Sequence, residues 1–306
     1  MDNDEAARST LFPDLPQFTE QDWQKCEGWG SYVPMLFDWY RHTGQVCATV
    51  AGLSQTSPVF MSILAVHYAI LVGMLVRCSR LMLSVVALSS RDEFAETTRL
   101  IDRCIAETAI TIHWLCASRD PDRFSLYLED SVRSEAKLKN LILGRIWSRE
   151  GIRFPIEERL LRQIDEVAES TQLSGNALAN PRRLPSFAQR CRDLRLPEEV
   201  YCVGYRLGSA AVHGSWVDLL EHYLVREESG DSSVKGTKNR PDETQFVATT
   251  KLVLGALAAF IQYMTDDKAA MGIVLRRLRL ILDAVNEIMK RSWGGDFLQP
   301  EDAEES

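Results

Sequence analysis

The sequence predicts an all-α protein, a multi-helix bundle, on three observations. Apolar residues recur at the three- and four-residue spacing of amphipathic helices through most of the 306 residues. Several of these stretches open on helix-start signals. No alternating run is long enough for a convincing strand, and no segment repeats at a fixed period.

Taken in order, residues 1–18 open with the acidic, polar "MDNDEAARST" and then meet Pro13 and Pro16, so they read as a disordered tail. That opening also lacks the basic-then-apolar plan of a secretory leader. Helices follow near 20–28, 31–53, 58–89, 92–117, 121–149, 156–171, 197–225, 243–264 and 267–292. The third starts at Ser57-Pro58, a capping hydroxyl before a proline in the first turn. Asp120-Pro121 repeats the device. Pro197-Glu198-Glu199 puts a proline and two acids where the helix dipole favours negative charge. Residues 227–243, "EESGDSSVKGTKNRPDE", read as a flexible surface loop. Residues 294–306 read as a second disordered tail. Between the tails, 19–293 read as one helical domain, because the last two helices are too few to hold a core alone.

Residues 59–76, "VFMSILAVHYAILVGMLV", carry no permanent charge and reach the lower length of a spanning helix. Ser62 and His67 interrupt them and Arg77 follows at once. The central helix of a soluble bundle is equally apolar, so no membrane span is expected, and His67 reads as a core histidine. The chain is 45% hydrophobic and 25% charged, with a net charge of −8. Such a chain is not drawn to nucleic acid by its overall field, so any RNA contact must be local. The run "PRRLPSFAQRCRDLR" (181–195) is basic, and its simplest reading is a solvated loop and helix face. Seven cysteines without a C-x-x-C suit buried thiols in a reducing cytoplasm, neither a disulfide frame nor a zinc site. No metal or cofactor is expected: H-E-x-x-H, G-x-G-x-x-G, P-loop and G-x-S-x-G patterns are all absent.

One stretch carries chemistry: "YRLGSAAVHGSW", residues 205–216. On a helix, Arg206 and His213 fall about 20° apart and so share a face two turns apart. Ser209 lies between them. Gly204, Gly208, Ala211 and Ser215 fall on the opposite side, where another backbone can approach closely. Tyr205, Val212, Trp216 and Leu219 make a third, core-like stripe. A histidine can take or give a proton and a guanidinium can hold a phosphate. RNA carries a 2′-hydroxyl beside each phosphate, so this pair suits cleavage of RNA without a metal. The plainer reading is an arginine paired with a carboxylate and a histidine that packs.

"RLGSAAVH" resembles the R-x(4–6)-H pattern of the HEPN superfamily, helical proteins of which many are ribonucleases in phage-defence and toxin–antitoxin systems. "YRLGSAAVHGSW" is similar to an uncharacterised bacterial family with HEPN-like helices, as is "RLIDRCIAETAITIHWL" (99–115). The resemblance implies a HEPN-like core with additional helices. It implies Arg206 and His213 as the catalytic pair, with Ser209 beside them, often completed by dimerisation. RNA would be the substrate of a metal-independent endoribonuclease acting in phage defence, toxin–antitoxin pairs or stress response. One position departs: active HEPN nucleases commonly carry a polar residue directly after the arginine, and here it is Leu207. The alternative is a non-enzymatic helical module that offers the Arg206/His213 face to a partner or small ligand.

On the 94–117 helix, Ile101, Cys104, Ile105, Ile112 and Leu115 form the expected core face. Arg99, Arg103 and His113 lie opposite, with Glu107 at the margin. Arg103 and Glu107 are neighbours at four-residue spacing. They read either as an exposed ion pair or, with Tyr205, as supports of the Arg206/His213 site, Glu107 being the first carboxylate expected at Arg206.

Overall fold

The computed structural model describes residues 12–56, 63–90, 94–202, 212–228, 230–235 and 241–294. Among these residues the fold is all-α, a multi-helix architecture with one small hairpin. The helices are α1 (Glu20–Trp29), α2 (Val33–Thr56), α3 (Ala65–Ser89), α4 (Ala95–Cys116), α5 (Asp122–Ser148), α6 (Pro155–Ser170), α7 (Gly175–Ala179), α8 (Phe187–Asp193), α9 (Glu198–Tyr201) and α10 (Trp216–His222). Strands β1 (Leu224–Arg226) and β2 (Ser232–Val234) follow, then α11 (Glu243–Met264) and α12 (Lys268–Trp293). The long helices sit where the periodicity puts them. The Ser57-Pro58 start lies outside the described residues, and within them α3 begins at Ala65.

The chain divides into two compact units. The first draws on residues 1–64, 68–117 and 187–306. Its centre is α11, which packs along α4 and also against α2 and α12. Phe246 on α11 meets Tyr40 and Phe37 of α2 edge-on, at 5.1 and 6.1 Å between centroids. Gly44 lets α2 approach α3: a Cβ there would stand 3.1 Å from the Met82 Cβ. By length and composition α3 and α11 could each cross a membrane; the apolar stretch of α11 is 67% buried inside the protein and that of α3 44%.

The second unit comprises Ala65–His67 and Ser118–Ser186. α5 and α6 pack through Ile142, Ile146, Leu161 and Ile164, and α7 rests on α5. Pro121 is the cap position of α5, and the Asp120 carboxylate ahead of it accepts the Asp122 N–H at 3.0 Å. His67 is buried and stacks on the fully buried Phe124, ring centroids 4.0 Å apart.

A hairpin runs from the end of the predicted 197–225 helix into the predicted 227–243 loop, with Leu224 opposite Val234 and Arg226 opposite Ser232. Strands of three residues are too short to print an alternation in the sequence. Asp242 then caps α11, accepting the Gln245 N–H at 2.8 Å. Five cysteines are buried, Cys202 is half-buried and Cys104 is exposed. Burial pushes the Cys78 thiol up to about 12 and the Cys191 thiol up to about 11.

Candidate functional site

His213 is the described member of the predicted pair; Tyr205, Arg206 and Ser209 fall in residues 203–211, outside the described residues. The expected single helix over 197–225 is corrected by the residues that follow His213. Gly214 takes a left-handed φ of 56°, open to glycine without strain. Ser215 is extended, and its hydroxyl accepts the Asp218 N–H at 3.3 Å as the cap of a new helix, α10. His213 therefore ends one helical segment and does not run on into α10. Its side chain is exposed. Val212, Trp216 and Leu219, expected as core, are exposed as well, because the break at Gly214 turns α10 off the line the helical wheel assumes.

α10 is tied to α4 by a fork of charges. The Arg99 guanidinium donates to both Glu221 oxygens at 2.6 and 2.7 Å and to Asp242 at 2.7 Å. That one arginine joins the segment following His213 to α4 and to Asp242, the cap of α11. Lys235 closes the far side, donating from Nζ to the Glu221 carbonyl at 2.8 Å and from its backbone N–H to the Tyr223 carbonyl at 2.8 Å. Asp218 and His222 are buried within α10, with 3.9 Å between His222 Nε2 and Asp218 Oδ1.

Glu107 has a partner the sequence did not suggest. Arg190 of α8 donates to it at 2.7 Å and to the Thr111 hydroxyl at 2.5 Å. Arg190 is 4% exposed, so the 181–195 run is not simply a solvated face. The Asp193 carboxylate accepts the Trp114 indole N–H at 2.9 Å, and Phe187 and Cys191 pack on Ala106 and Ile110. α8 is thus pinned to α4 by polar and apolar contacts together. Arg103 is half-buried on the same helix. The expected core face of α4 also shifts: Cys104 is exposed, while Thr98, Asp102, Ile105, Ala109 and Ile112 are buried. A polar residue, Asp102, sits in that buried row, which is why composition alone misplaced the face.

Asp102 accepts from the Tyr40 hydroxyl at 2.6 Å and from the Gln245 amide, and Thr249 bonds to it as well. Burial raises its carboxyl to about 7 against these hydrogen bonds. His113, opposite, lies by Gly255 of α11 and is lowered by burial, which disfavours its charged form.

The second unit holds a polar cavity of about 480 Å³ lined by Ser125, Glu129, Gln172, Asn176, Asn180 and Arg182, among others. Arg182 donates to Glu129 at 2.6 Å and to Asp122 at 2.8 Å, and its guanidinium holds the Glu129 carboxyl below the usual range. Its charged groups are paired with one another, which leaves hydroxyls and amides to meet a ligand.

The profile of a "Family of unknown function (DUF5677)" matches residues 68–232, more than half of the chain. No curated protein and no solved structure matches.

Proposed function

The chain belongs to this family of unknown function (DUF5677), and on that premise we propose that it is a HEPN-like protein that cleaves RNA without a metal, through His213 and Arg206. The observation that supports the reading is the exposure of His213. It sits at the end of a helical segment, next to the left-handed Gly214, where an extended substrate can reach it. The Arg99 fork and the Ser215 cap fix the segment that follows.

In the reaction, the His213 imidazole takes the proton of an RNA 2′-hydroxyl. The 2′-oxygen bonds to the adjacent phosphorus and the bond to the 5′-oxygen breaks. That oxygen takes a proton from solvent water as it leaves, His213 returns the proton it took to solvent, and the products are a 2′,3′-cyclic phosphate and a 5′-hydroxyl. Arg206 holds the phosphate and balances the charge that builds on it. Cytoplasmic RNA is the substrate this chemistry implies, in phage defence, toxin–antitoxin pairs or stress response.

The test is cleavage of RNA by purified protein in the presence of a chelator, with the new ends identified. Cyclic phosphate ends are expected, with rates down about 10²–10⁴-fold in His213→Ala. RNA left intact by the wild type, or cut equally by the variant, overturns the reading. A second reading is a non-enzymatic module that binds a partner on the same face, and exposed Val212, Trp216 and Val217 beside His213 favour it. Growth separates the two: a nuclease slows cells on overexpression and His213→Ala relieves it, whereas a binding module leaves growth unchanged.

A further inference from the structure

The tip of the α5–α6 hairpin exposes large apolar side chains in a rigid frame. Trp147 is 85% exposed, Ile152 62% and Ile156 51%, all within ten residues of sequence. Single exposed apolar residues are ordinary; a cluster at the apex of a hairpin marks a contact surface. The turn beneath them is fixed. Gly151 donates its N–H to the Ile146 carbonyl at 2.9 Å, and Glu150 and Gly151 both take positive φ, 56° and 90°. Arg149 grips both oxygens of the buried Glu157 at 2.6 Å, and Glu157 also accepts the Phe154 N–H at 2.9 Å. These contacts hold the apolar groups outward.

The same tip is basic. Residues 145–159 carry Arg145, Arg149, Arg153 and Arg159 against Glu150, Glu157 and Glu158, in a chain of net charge −8, and the Arg149–Glu157 pair leaves three exposed arginines facing two exposed glutamates. Arg145, Arg153 and the neighbouring Arg159 are exposed, and no ion pair among the described residues uses them. The fitting partner is therefore anionic and has an apolar layer beneath its charge. A second copy is disfavoured, since a two-fold contact sets this patch against itself and brings like arginines together. Nucleic acid is disfavoured because Trp147 is the one ring of the tip with its faces uncovered: the Arg149 guanidinium already covers Phe154 at 4.3 Å, Ile152 and Ile156 offer no surface for base stacking, and a single ring makes no track for successive bases.

We propose that this tip docks on an anionic lipid surface. Trp147, Ile152 and Ile156 enter the boundary between headgroups and acyl chains, where tryptophan is favoured, and Arg145 and Arg153 meet the headgroup anions. The contact is peripheral: it needs no spanning helix, and it places the protein against the anionic cytoplasmic leaflet.

Sedimentation of the full-length protein with vesicles tests it, using phosphatidylcholine alone and phosphatidylcholine mixed with phosphatidylglycerol. Each basic residue near such a surface contributes about 1 kcal/mol, so binding at least about tenfold tighter to the mixed vesicles is expected. Trp147→Ser with Ile152→Ser should abolish binding, and Arg145→Glu with Arg153→Glu should remove the preference for phosphatidylglycerol. No binding by the wild type, or equal binding to both vesicles, overturns the proposal. So does RNA retention, or self-association in gel filtration, that is lost in the tip variants while vesicles are not bound. All of these substitutions are on exposed side chains, and an unchanged thermal melt confirms each variant's fold.

Discussion

Asp102 shows how much one buried carboxyl decides. Its partners among the described residues, Tyr40, Gln245 and Thr249, are neutral donors, and burial carries it up to about 7 from an ordinary 3.8. A carboxyl raised on folding favours the protonated native state. Its contribution is full below the unfolded value of 3.8, is lost as pH rises towards 7, and is flat above. Melts of the wild type should therefore lose stability across that window on this account. Asp102→Asn, which keeps one donor group and one acceptor, should flatten the profile; equal slopes in both proteins would refute the assignment. Arg190 is the second case. Nothing in "PRRLPSFAQRCRDLR" separates a buried arginine from a solvated one, because its carboxylate is 83 residues away. Arg190→Ala should cost about 1–3 kcal/mol in urea unfolding, since Thr111 is left without its donor while the partly exposed Glu107 regains water. A change within about 0.5 kcal/mol would place Arg190 among ordinary surface residues.

At the scale of elements, the long helices were legible because their cores repeat at helical period over five or more turns. The short elements were not. α7, α8 and α9 span less than two turns each, too few residues for a period, and α8 is held by distant partners, Glu107 and Trp114, while α7 rests on α5 and α9 on α8. The break between His213 and α10 was legible in principle, since glycine followed by serine is a stop and a start, but the small residues of 204–215 also fit one continuous face. Ser215 is the measurable part of that break. Ser215→Ala removes the acceptor for the Asp218 N–H and should cost about 1 kcal/mol, read as faster hydrogen exchange confined to Trp216–His222. Gly214→Val, at φ 56°, adds backbone strain of about 1–3 kcal/mol. Unchanged exchange in both variants would mean that the Arg99 fork alone holds α10.

Across the whole molecule, the family match and the core do not coincide. The match runs over residues 68–232 and stops before α11 begins at Glu243. Yet α4, inside the match, buries its inner row along α11, and Gln245 bonds both Thr98 and Asp102. α2, which supplies Tyr40 to the same network, precedes the match. The segment shared by the family thus carries His213, Arg103 and Glu107 but not the helices that make their support dry. Each large apolar side chain stripped of cover costs about 1.5–3 kcal/mol, and α4 would expose several, Ile105 and Ile112 among them, against a total stability of about 5–15 kcal/mol for a typical domain. Residues 68–232 expressed alone should therefore leave the amides of Ala95–Cys116 without protection from exchange. A longer piece, residues 30–294, should protect them as the full chain does. The comparison is made on α4 amides because the second unit has its own small core at Ile142, Ile146, Leu161 and Ile164, and a melt could report that core alone. Protection of α4 in the shorter piece would show that the family segment folds by itself and that α11 only adds to it.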